Sequence, residues 1–500
     1  MSTIAPLAVQ PAAFRAGPMP RHPVGADDWE AAAGELAQGR LSLLGLWGDA
    51  AACHMALMDP ATHGIALLTH EGAAFPSVGR LHAPAQRPER AAADLFGLNP
   101  EGAPDPRPWL DHGRWDVRHP LGAATAGQGP LAYPFLPVEG ESLHEVPVGP
   151  VHAGIIEPGH FRFTAQGETV VRLETRLGYA HKGVEGLMRG ATPARGAVLA
   201  GRCCGDSTVA YAWAFAQAVE AALGAEIPAR ALALRALMAE MERLANHLGD
   251  IGAACNDAAF AMMHAQTSLL REQVLRAADT AFGHRLLRDR VLPGGVAHDL
   301  APEGAAAIGA LGDAVRARFP ALVRLYDGTA SLQDRTVGTG ILAPALAARF
   351  GAGGYVGRAS GRDFDARRDL PYAPYDRLAP AVATAREGDV DARLRIRIRE
   401  VETSLQLIDD ILRGLPPGPI RAELPDAGAP REGLGIVEGF RGDILAWVAL
   451  DARGCIRRCH LRDPSWFHWP LIEAAIEGNI IADFPLINKS FNCAYSGHDL

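Results

Sequence analysis

Apolar residues recur with the spacing of an amphipathic helix through the middle of the chain. Leu234, Leu237, Met241, Leu244 and Leu248, for example, are three or four residues apart, which places them on one face of a helix. Comparable spacing predicts Ala-rich helices over residues 194–223, 229–254, 258–284, 303–326 and 390–414. Packing into a helical bundle is the simplest way to bury these stripes.

Shorter apolar runs between Gly, Pro and His residues predict strands on either side of the helices. Near the N-terminus they extend from Leu41 to Trp47, Met55 to Met58 and Gly64 to Leu68, as is typical of a small α/β domain. Further strands are predicted over residues 151–163, 168–173, 444–450 and 455–461. The whole pattern predicts an α+β protein.

A stretch rich in Gly, Pro and Ala separates these parts. Between residues 118 and 145 it has neither helical nor strand periodicity, which is typical of a linker. We therefore predict a small N-terminal α/β domain over residues 1–120 and a linker over 121–145. A mainly helical domain with flanking strands is predicted over residues 146–500.

Composition excludes several classes of protein. The chain has 500 residues, 48% of them hydrophobic, and a net charge of −9 without a Lys/Arg-rich block, so no nucleic-acid partner is expected. No apolar run reaches the roughly 18 residues of a membrane span. The first residues carry no export signal, and we expect a cytoplasmic chain.

Three groups of polar residues are candidates for chemistry. Glu240, Arg243 and His247 share one helical face, where they are either solvated or paired structurally, or line a site. His160 follows Pro158 and Gly159, so it is either an ordinary surface histidine or one that faces a cleft.

The third group is the run Cys203-Cys204-Gly205-Asp206-Ser207 before a predicted helix. A helix N-terminus favours a thiolate, and the alternative is a buried, inert pair. The chain has seven cysteines but no Cys-x-x-Cys pair. Such pairs normally supply the thiolates of a metal cluster.

Several stretches occur together in one order along the chain: 147–163, 177–185, 240–247, 357–361, 438–443 and 462–465. They resemble signatures of the large subunits of membrane-bound nickel-iron hydrogenases and of the related quinone-module subunit of respiratory complex I. Residues 89–97 and 104–108 resemble the complex I 30-kilodalton subunit. The fusion of the two parts is similar to hydrogenase-4 and formate hydrogenlyase large subunits. The resemblance implies an oxidoreductase subunit that is active within a membrane-associated electron-transfer complex.

The chain departs from this family where nickel is bound. Hydrogenases of the family hold nickel with two Cys-x-x-Cys pairs, because soft thiolates bind nickel and bridge it to iron. Cys204 matches the first ligand, but Ser207, Ala494 and Gly497 stand at the other three positions. Cys493 is one residue out of register. The resemblance therefore implies that no nickel-iron centre assembles and that no metal is bound.

In complex I the same region forms a quinone site, and the resemblance transfers some of its residues. His160 matches the quinone-facing histidine, and Asp257 matches the aspartate that pairs with it. A carboxylate beside the imidazole would raise the pKa of the histidine, and the pair would handle protons. Pro193 stands where the family has a tyrosine, for which Tyr179 or Tyr495 could substitute.

The resemblance also implies supporting residues and partners. Arg202, Asp206, Glu240, Arg243 and His247 would line or support the cavity. Arg358 and Arg441 would hold the interface towards the cluster of a small iron–sulfur subunit of the complex I 20-kilodalton type. The chain has no iron–sulfur ligation motif of its own. Antiporter-like membrane subunits would hold it, as a peripheral subunit, on the cytoplasmic side of the inner membrane.

Two other functions stay open from the sequence. The first is a non-catalytic scaffold that transmits conformational change within a hydrogenase-4-like complex, which the missing tyrosine and cysteines would permit. The second is a true nickel-iron hydrogenase with altered ligands, which would contain stoichiometric nickel.

Overall fold

A computed structural model describes residues 19–130, 132–152 and 156–500. The first 18 residues of the predicted N-terminal domain therefore lie outside the described residues. So do Leu131 in the predicted linker and residues 153–155 in the stretch at 147–163. The described residues combine helices with several small sheets, which confirms the α+β class.

Four strands and two helices form the N-terminal part. The sheet has the order β1-β4-β3-β2, with β1 parallel to β4 and the other pairs antiparallel. The elements are β1 (Arg21–Pro23), α1 (Ala26–Ala37), β2 (Ser42–Asp49), β3 (Ala52–Met58), β4 (Ile65–Glu71), β5 (Ala74–Pro76), α2 (Gln86–Phe96) and β6 (Asn99–Glu101). The three strand predictions in this part are confirmed.

A second sheet lies between the N-terminal part and the helices. Its strands are antiparallel in the order β11-β10-β9. The elements of this region are β7 (Val117–Arg118), β8 (Thr125–Ala126), β9 (Leu143–Val148), β10 (His160–Gln166) and β11 (Thr169–Arg176). The predicted strand pair is present, but its first strand begins at His160, and β9 begins within the predicted linker.

The helical part contains the predicted long helices. It comprises α3 (Val184–Met188), α4 (Pro193–Ala200), α5 (Thr208–Leu223), α6 (Ala229–Asp257), α7 (Ala261–Phe282), β12 (Val291–Leu292), β13 (Gly295–Val296), α8 (Pro302–Gly328), α9 (Ala330–Thr336), α10 (Pro344–Arg349), α11 (Gly354–Ala359), α12 (Ala366–Asp369), α13 (Tyr375–Leu378) and α14 (Val390–Arg413). Helices α6, α7, α8 and α14 begin and end within three residues of their predicted bounds. Their prediction from apolar spacing is confirmed.

The predicted helix over 194–223 is wrong in extent. The structure has two helices there, α4 and α5, which residues 201–207 separate. The connection carries Gly201, Gly205, Asp206 and Ser207, which are residue types that favour turns over helix. This break places Cys203 and Cys204 in a loop instead of in a helix.

A third sheet and three helices complete the chain. They are β14 (Arg431–Gly439), β15 (Gly442–Leu450), β16 (Ile456–Arg462), α15 (Ser465–Ala475), α16 (Phe484–Phe491) and α17 (Tyr495–Asp499), and the three strands are antiparallel in sequence order. Two glycines of β14 allow α5 to pack closely on it. A Cβ atom at Gly433 would lie 2.0 Å from the Ala218 carbonyl oxygen, and one at Gly435 would lie 2.2 Å from that of Ala214.

The first and third sheets share an apolar layer. Successive residues of β2 point to opposite faces, so that Leu43 and Leu46 join the main core while Leu44 and Trp47 pack against the third sheet. The Trp47 ring stacks on that of His460, with ring centroids 4.9 Å apart. Burial of both faces explains why β2 is an almost continuous apolar run.

Candidate functional site

The charged residues of α6 are buried and paired. Glu240 accepts hydrogen bonds from Tyr375 Oη at 2.6 Å, Ser404 Oγ at 2.7 Å and Arg367 Nη1 at 2.9 Å. Burial raises the pKa of Glu240, but Arg367 and Arg243 outweigh it, so the net pKa lies below its ordinary value. Glu240 is therefore a charged residue of the interior.

Arg243 and His247 follow along the same helix face. Arg243 donates to the carbonyl oxygens of Glu438 at 2.7 Å and Gly439 at 2.9 Å, and so fixes α6 to the end of β14. His247 Nε2 lies 2.7 Å from Glu400 Oε2. Burial lowers the pKa of His247, while the Glu400 carboxylate acts in the opposite direction.

Arg358 joins several carboxylates of this network. Its guanidinium lies 2.5 Å from Glu400, 3.0 Å from Glu438 and 3.3 Å from Asp365. Only 1% of Arg358 is exposed. The sequence predicted Arg358 at an interface towards a partner's cluster, whereas the structure places it in the interior of this chain.

Arg397 extends the network towards the C-terminal loop. Its Nη1 lies 2.9 Å from Asp250 Oδ2, and its guanidinium lies 3.6 Å from the centre of the Tyr355 ring. Asp250 also accepts from Asn492 Nδ2 at 2.8 Å and pairs with Lys489 at 3.2 Å. Charged side chains thus connect β14 with the loop that follows α16.

The Cys204 loop forms a second polar cluster. Cys204 Sγ lies 2.9 Å from Asp206 Oδ1, and Arg441 binds both Asp206 oxygens at 2.7 and 2.5 Å. Arg441 also donates to Ser207 Oγ at 3.3 Å and to the Asn492 carbonyl. The structure therefore brings together two predicted site residues, Asp206 and Arg441.

Burial determines the state of the Cys204 thiol. It raises the pKa of Cys204 well above the ordinary value, and the nearby Asp206 carboxylate raises it further. The thiol is protonated at neutral pH, so the thiolate expected near a helix N-terminus is wrong. Arg202 points away from this cluster, because it pairs with Asp289 at 2.8 Å and more than a third of each side chain is exposed.

The two remaining ligand positions of the family lie in the C-terminal segment. The Ala494 N–H donates to Ser465 Oγ at 2.9 Å. A Cβ atom at Gly497 would lie 2.6 Å from Asp463 Oδ2 and 2.9 Å from Tyr211 Oη. Tyr211 and Asp463 are themselves hydrogen-bonded at 2.7 Å. These two side chains fill the space next to Gly497.

The donor atoms around Cys204 are unlike those of a thiolate metal site. Within residues 19–130, 132–152 and 156–500, no group of three or more His, Cys, Asp or Glu side chains is arranged to hold a metal ion. Cys493 is buried, and burial raises its pKa.

His160 lines a separate cavity, which we name the His160 cavity. It has a volume of about 250 Å³ and is lined by Pro108, Asp111, His112, Arg114, Pro130, Tyr133, Phe135, His160, Arg162, Arg176 and Tyr179. His160 Nδ1 lies 3.2 Å from the Gly149 carbonyl oxygen. Its Nε2 is buried without a hydrogen-bond partner among the described residues.

Asp257 lies elsewhere, at the last residue of α6. It does not line the His160 cavity, and the described residues show no hydrogen bond or ion pair between it and His160. Burial lowers the pKa of His160, and Arg162 adds to this effect. The expected rise of the His160 pKa is therefore wrong.

The structure distinguishes the two tyrosines proposed in place of the missing one. Tyr179 lines the His160 cavity, where its ring meets that of His112 edge-on at 4.5 Å. Tyr495 packs on Trp469 instead. Pro193 begins α4, a position where the missing N–H of proline costs nothing.

Several residues of these sites were missed from the sequence. Arg393, Arg397 and Glu400 lie on one face of α14 at i, i+4 and i+7 spacing, a pattern that could have indicated a partner for the α6 ladder. Tyr133 and Phe135 lie in the predicted linker, where no periodicity marks them.

Comparisons with known proteins agree with this arrangement. The family model described as respiratory-chain NADH dehydrogenase, 49 Kd subunit, matches residues 257–434. Nickel-dependent hydrogenase matches residues 182–249, and respiratory-chain NADH dehydrogenase, 30 Kd subunit, matches residues 49–130.

Similar proteins include formate hydrogenlyase subunit 5 of Escherichia coli K12, which is 33% identical over 85% of this chain and 77% of that protein. Hydrogenase-4 component G of the same organism is 31% identical over 87% and 77%. An NADH-quinone oxidoreductase subunit of Clostridium beijerinckii is 30% identical over 69% and 94%.

A solved structure of the membrane-bound sulfane sulfur reductase, an archaeal respiratory membrane complex, contains a similar chain. It has a TM-score of 0.68 and 25% identity, and the match covers 72% of this chain and 99% of that one. The protein belongs to the family of hydrogenase and complex I large subunits in which 30 and 49 Kd regions are fused. It is an oxidoreductase subunit of the kind found in multi-subunit membrane respiratory complexes. Within its described residues, no helix has the length and apolar character to cross a membrane.

Proposed function

We propose that this subunit binds a quinone in the His160 cavity and exchanges electrons through it with an iron–sulfur partner subunit. The observation that carries the proposal is the buried His160 Nε2, which has no partner among the described residues, beside a cavity of about 250 Å³. Tyr133, Phe135 and Tyr179 supply aromatic surface for a planar ring. Arg162 and Arg176 supply positive charge that favours the electron-rich reduced form.

The protonation of His160 favours a hydroquinone hydroxyl over a quinone carbonyl as its partner. Because the Gly149 carbonyl only accepts hydrogen bonds, the nearby Nδ1 carries the proton in the neutral ring. Nε2 is then an acceptor. Burial and Arg162 keep the pKa of His160 below its ordinary value of 6.5, so the ring is neutral at pH 7. Tyr179 supplies the hydroxyl group that Pro193 lacks.

We expect His160→Ala to weaken binding of a short-chain hydroquinone to the purified complex about tenfold, as loss of one hydrogen bond to a buried group predicts. Isothermal titration calorimetry measures the change. Affinity of the unaltered protein should also fall as the pH drops below 6.5, because the protonated ring no longer accepts at Nε2.

His144→Ala is the matched control, since His144 is an exposed histidine on the neighbouring strand β9. Asp257→Asn should leave hydroquinone affinity unchanged, because no hydrogen bond joins Asp257 to His160 in the described residues. Unchanged affinity and turnover in His160→Ala would refute the proposal and favour the non-catalytic scaffold.

We propose further that no nickel-iron centre forms beside Cys204. A hydroxyl, a methyl and a hydrogen at Ser207, Ala494 and Gly497 do not fit the soft, bridging ligands that such a centre needs. The space beside Gly497 is taken by Tyr211 and Asp463. Arg441 and Asp206 form a charge-paired cluster that is satisfied without a metal.

Gly497→Cys should therefore lower the thermal unfolding temperature, because its Cβ would lie 2.6 Å from Asp463 Oδ2. Overpacking of this kind typically costs about 1–3 kcal/mol. Gly309→Cys is the control, since a Cβ at Gly309 meets nothing within 4 Å. Equal unfolding temperatures for the two variants would contradict this account of the space. Equimolar nickel in the purified complex would contradict the proposed absence of the centre.

We infer that the partners are a small iron–sulfur subunit and antiporter-like membrane subunits. The relatives belong to multi-subunit respiratory complexes, and the sequence contains no Cys-x-x-Cys pair to ligate a cluster itself. The chain would then lie on the cytoplasmic side of the inner membrane, held by these subunits.

A further inference from the structure

A second cavity lies on the other side of the Cys204 loop, between α6, α7 and the segment that follows α7. We name it the Arg288 cavity. Its volume is about 260 Å³ and its lining includes Asp206, Glu242, Asn246, Arg271, Arg285 and Arg288. Neither the site residues of the family nor the His160 cavity accounts for it.

Two arginines of the Arg288 cavity have no counter-charge among the described residues. Arg285 is paired with Glu272 at 2.7 Å, and Asp206 is paired with Arg441. Arg271 and Arg288, by contrast, form no side-chain hydrogen bond or ion pair with any residue that the structure describes. Arg288 Nε is buried without a partner among those residues.

Glycines place both arginines beside the cavity. A Cβ at Gly249 would lie 2.8 Å from Arg271 Cδ, so the absent side chain leaves room for Arg271 to cross α6. A Cβ at Gly205 would lie 3.6 Å from Arg288 Nη2, which puts that guanidinium over the Cys204 loop. The arrangement depends on the fold of two separate segments, and it is not a flexible surface pair.

The carboxyl groups of the cavity do not neutralise these arginines. Burial raises the pKa of Glu242 to about 8, so this group is largely uncharged at neutral pH. About a third of the Asp206 side chain is exposed (35%), but both of its oxygens bind Arg441. The cavity therefore carries net positive charge.

The rest of the lining is apolar. It consists of Met241, Ala245, Val274, Leu275, Ala278, Leu286 and Leu287. A ligand that matches both halves has an anionic head and a short hydrocarbon part. Guanidinium groups bind carboxylates with two parallel hydrogen bonds, and the aliphatic wall favours an alkyl chain.

We propose that the Arg288 cavity binds a small aliphatic monocarboxylate, whose carboxylate is held by Arg271 and Arg288 and whose chain lies against α7. The bound carboxylate would lie next to the Asp206–Arg441 pair. This site is independent of quinone binding in the His160 cavity.

Sodium hexanoate is the probe, titrated by calorimetry into the purified complex that contains the full chain. We expect saturable binding, and we expect Arg271→Gln and Arg288→Gln each to weaken it about tenfold, since each removes a charge-assisted hydrogen-bond donor. Arg318→Gln is the matched control because Arg318 is an exposed arginine on α8, and it should leave hexanoate affinity unchanged.

Two further titrations test each half of the proposal. Hexan-1-ol lacks the carboxylate, and inorganic phosphate lacks the alkyl chain, so both should bind at least tenfold more weakly than hexanoate. Equal hexanoate affinity in the two arginine variants and in the unaltered protein would overturn the proposal. So would absence of hexanoate binding, or phosphate binding as tight as that of hexanoate. His160→Ala should leave hexanoate affinity unchanged, which separates this test from that of quinone binding.

Discussion

Glu400→Ala should destabilise the protein by about 3–5 kcal/mol, the usual result of removing one partner from a buried ion pair. Glu400 is buried and binds His247 at 2.7 Å and Arg358 at 2.5 Å. Without it, Arg358 retains Glu438 and Asp365, but His247 loses its carboxylate. Denaturant unfolding, followed by circular dichroism, measures the change in the free energy of unfolding.

Glu402→Ala is the control on the same helix. Glu402 is exposed and pairs with the exposed Arg399 at 3.2 Å, and exposed pairs of this kind contribute only about 0–1 kcal/mol. Glu400→Gln keeps a hydrogen-bonding side chain without its charge, so its loss should be intermediate. Equal stability of the Glu400→Ala and Glu402→Ala variants would show that the network contributes nothing to folding.

The helices could be predicted because their signal is local. The apolar stripe of α6 lies within a single helix, and its spacing alone gave bounds that the structure confirms within three residues. The break between α4 and α5 was missed because an Ala-rich stretch continues on both sides of it. Residue types that favour turns, at positions 201–207, were the available signal.

The contacts between sheets were not accessible in the same way. The run at Leu43–Trp47 predicts a strand, but it does not say that the first sheet is covered on both faces. The covering residues, such as Trp447, come some 400 positions later in the sequence. Pairing over such separations depends on the path of the whole chain.

The candidate site divides along the same line. The Glu240, Arg243 and His247 ladder was predicted from helical spacing, and the structure favours its structural alternative, in which all three are buried and paired. The meeting of Asp206 with Arg441 requires residues 235 positions apart. The predicted pairing of His160 with Asp257 came from family resemblance alone. Phe135, from the predicted linker, lies beside the His160 imidazole instead.

Trp47→Ala should destabilise the protein by about 3–5 kcal/mol, the range for removing a large aromatic side chain from a core. Trp47 is 2% exposed, stacks on His460 at 4.9 Å and lies 5.7 Å from Trp447, so its loss opens the layer that joins the first and third sheets. Limited proteolysis should then cut the N-terminal part before the helices, and denaturant unfolding should begin earlier. Leu81→Ala is the control, because Leu81 lies in the same part of the chain but is 40% exposed. If both variants resist protease as the unaltered protein does, the two sheets are joined by contacts other than this aromatic layer, with Arg462 and its 2.7 Å hydrogen bond to the Leu44 carbonyl as the next candidate.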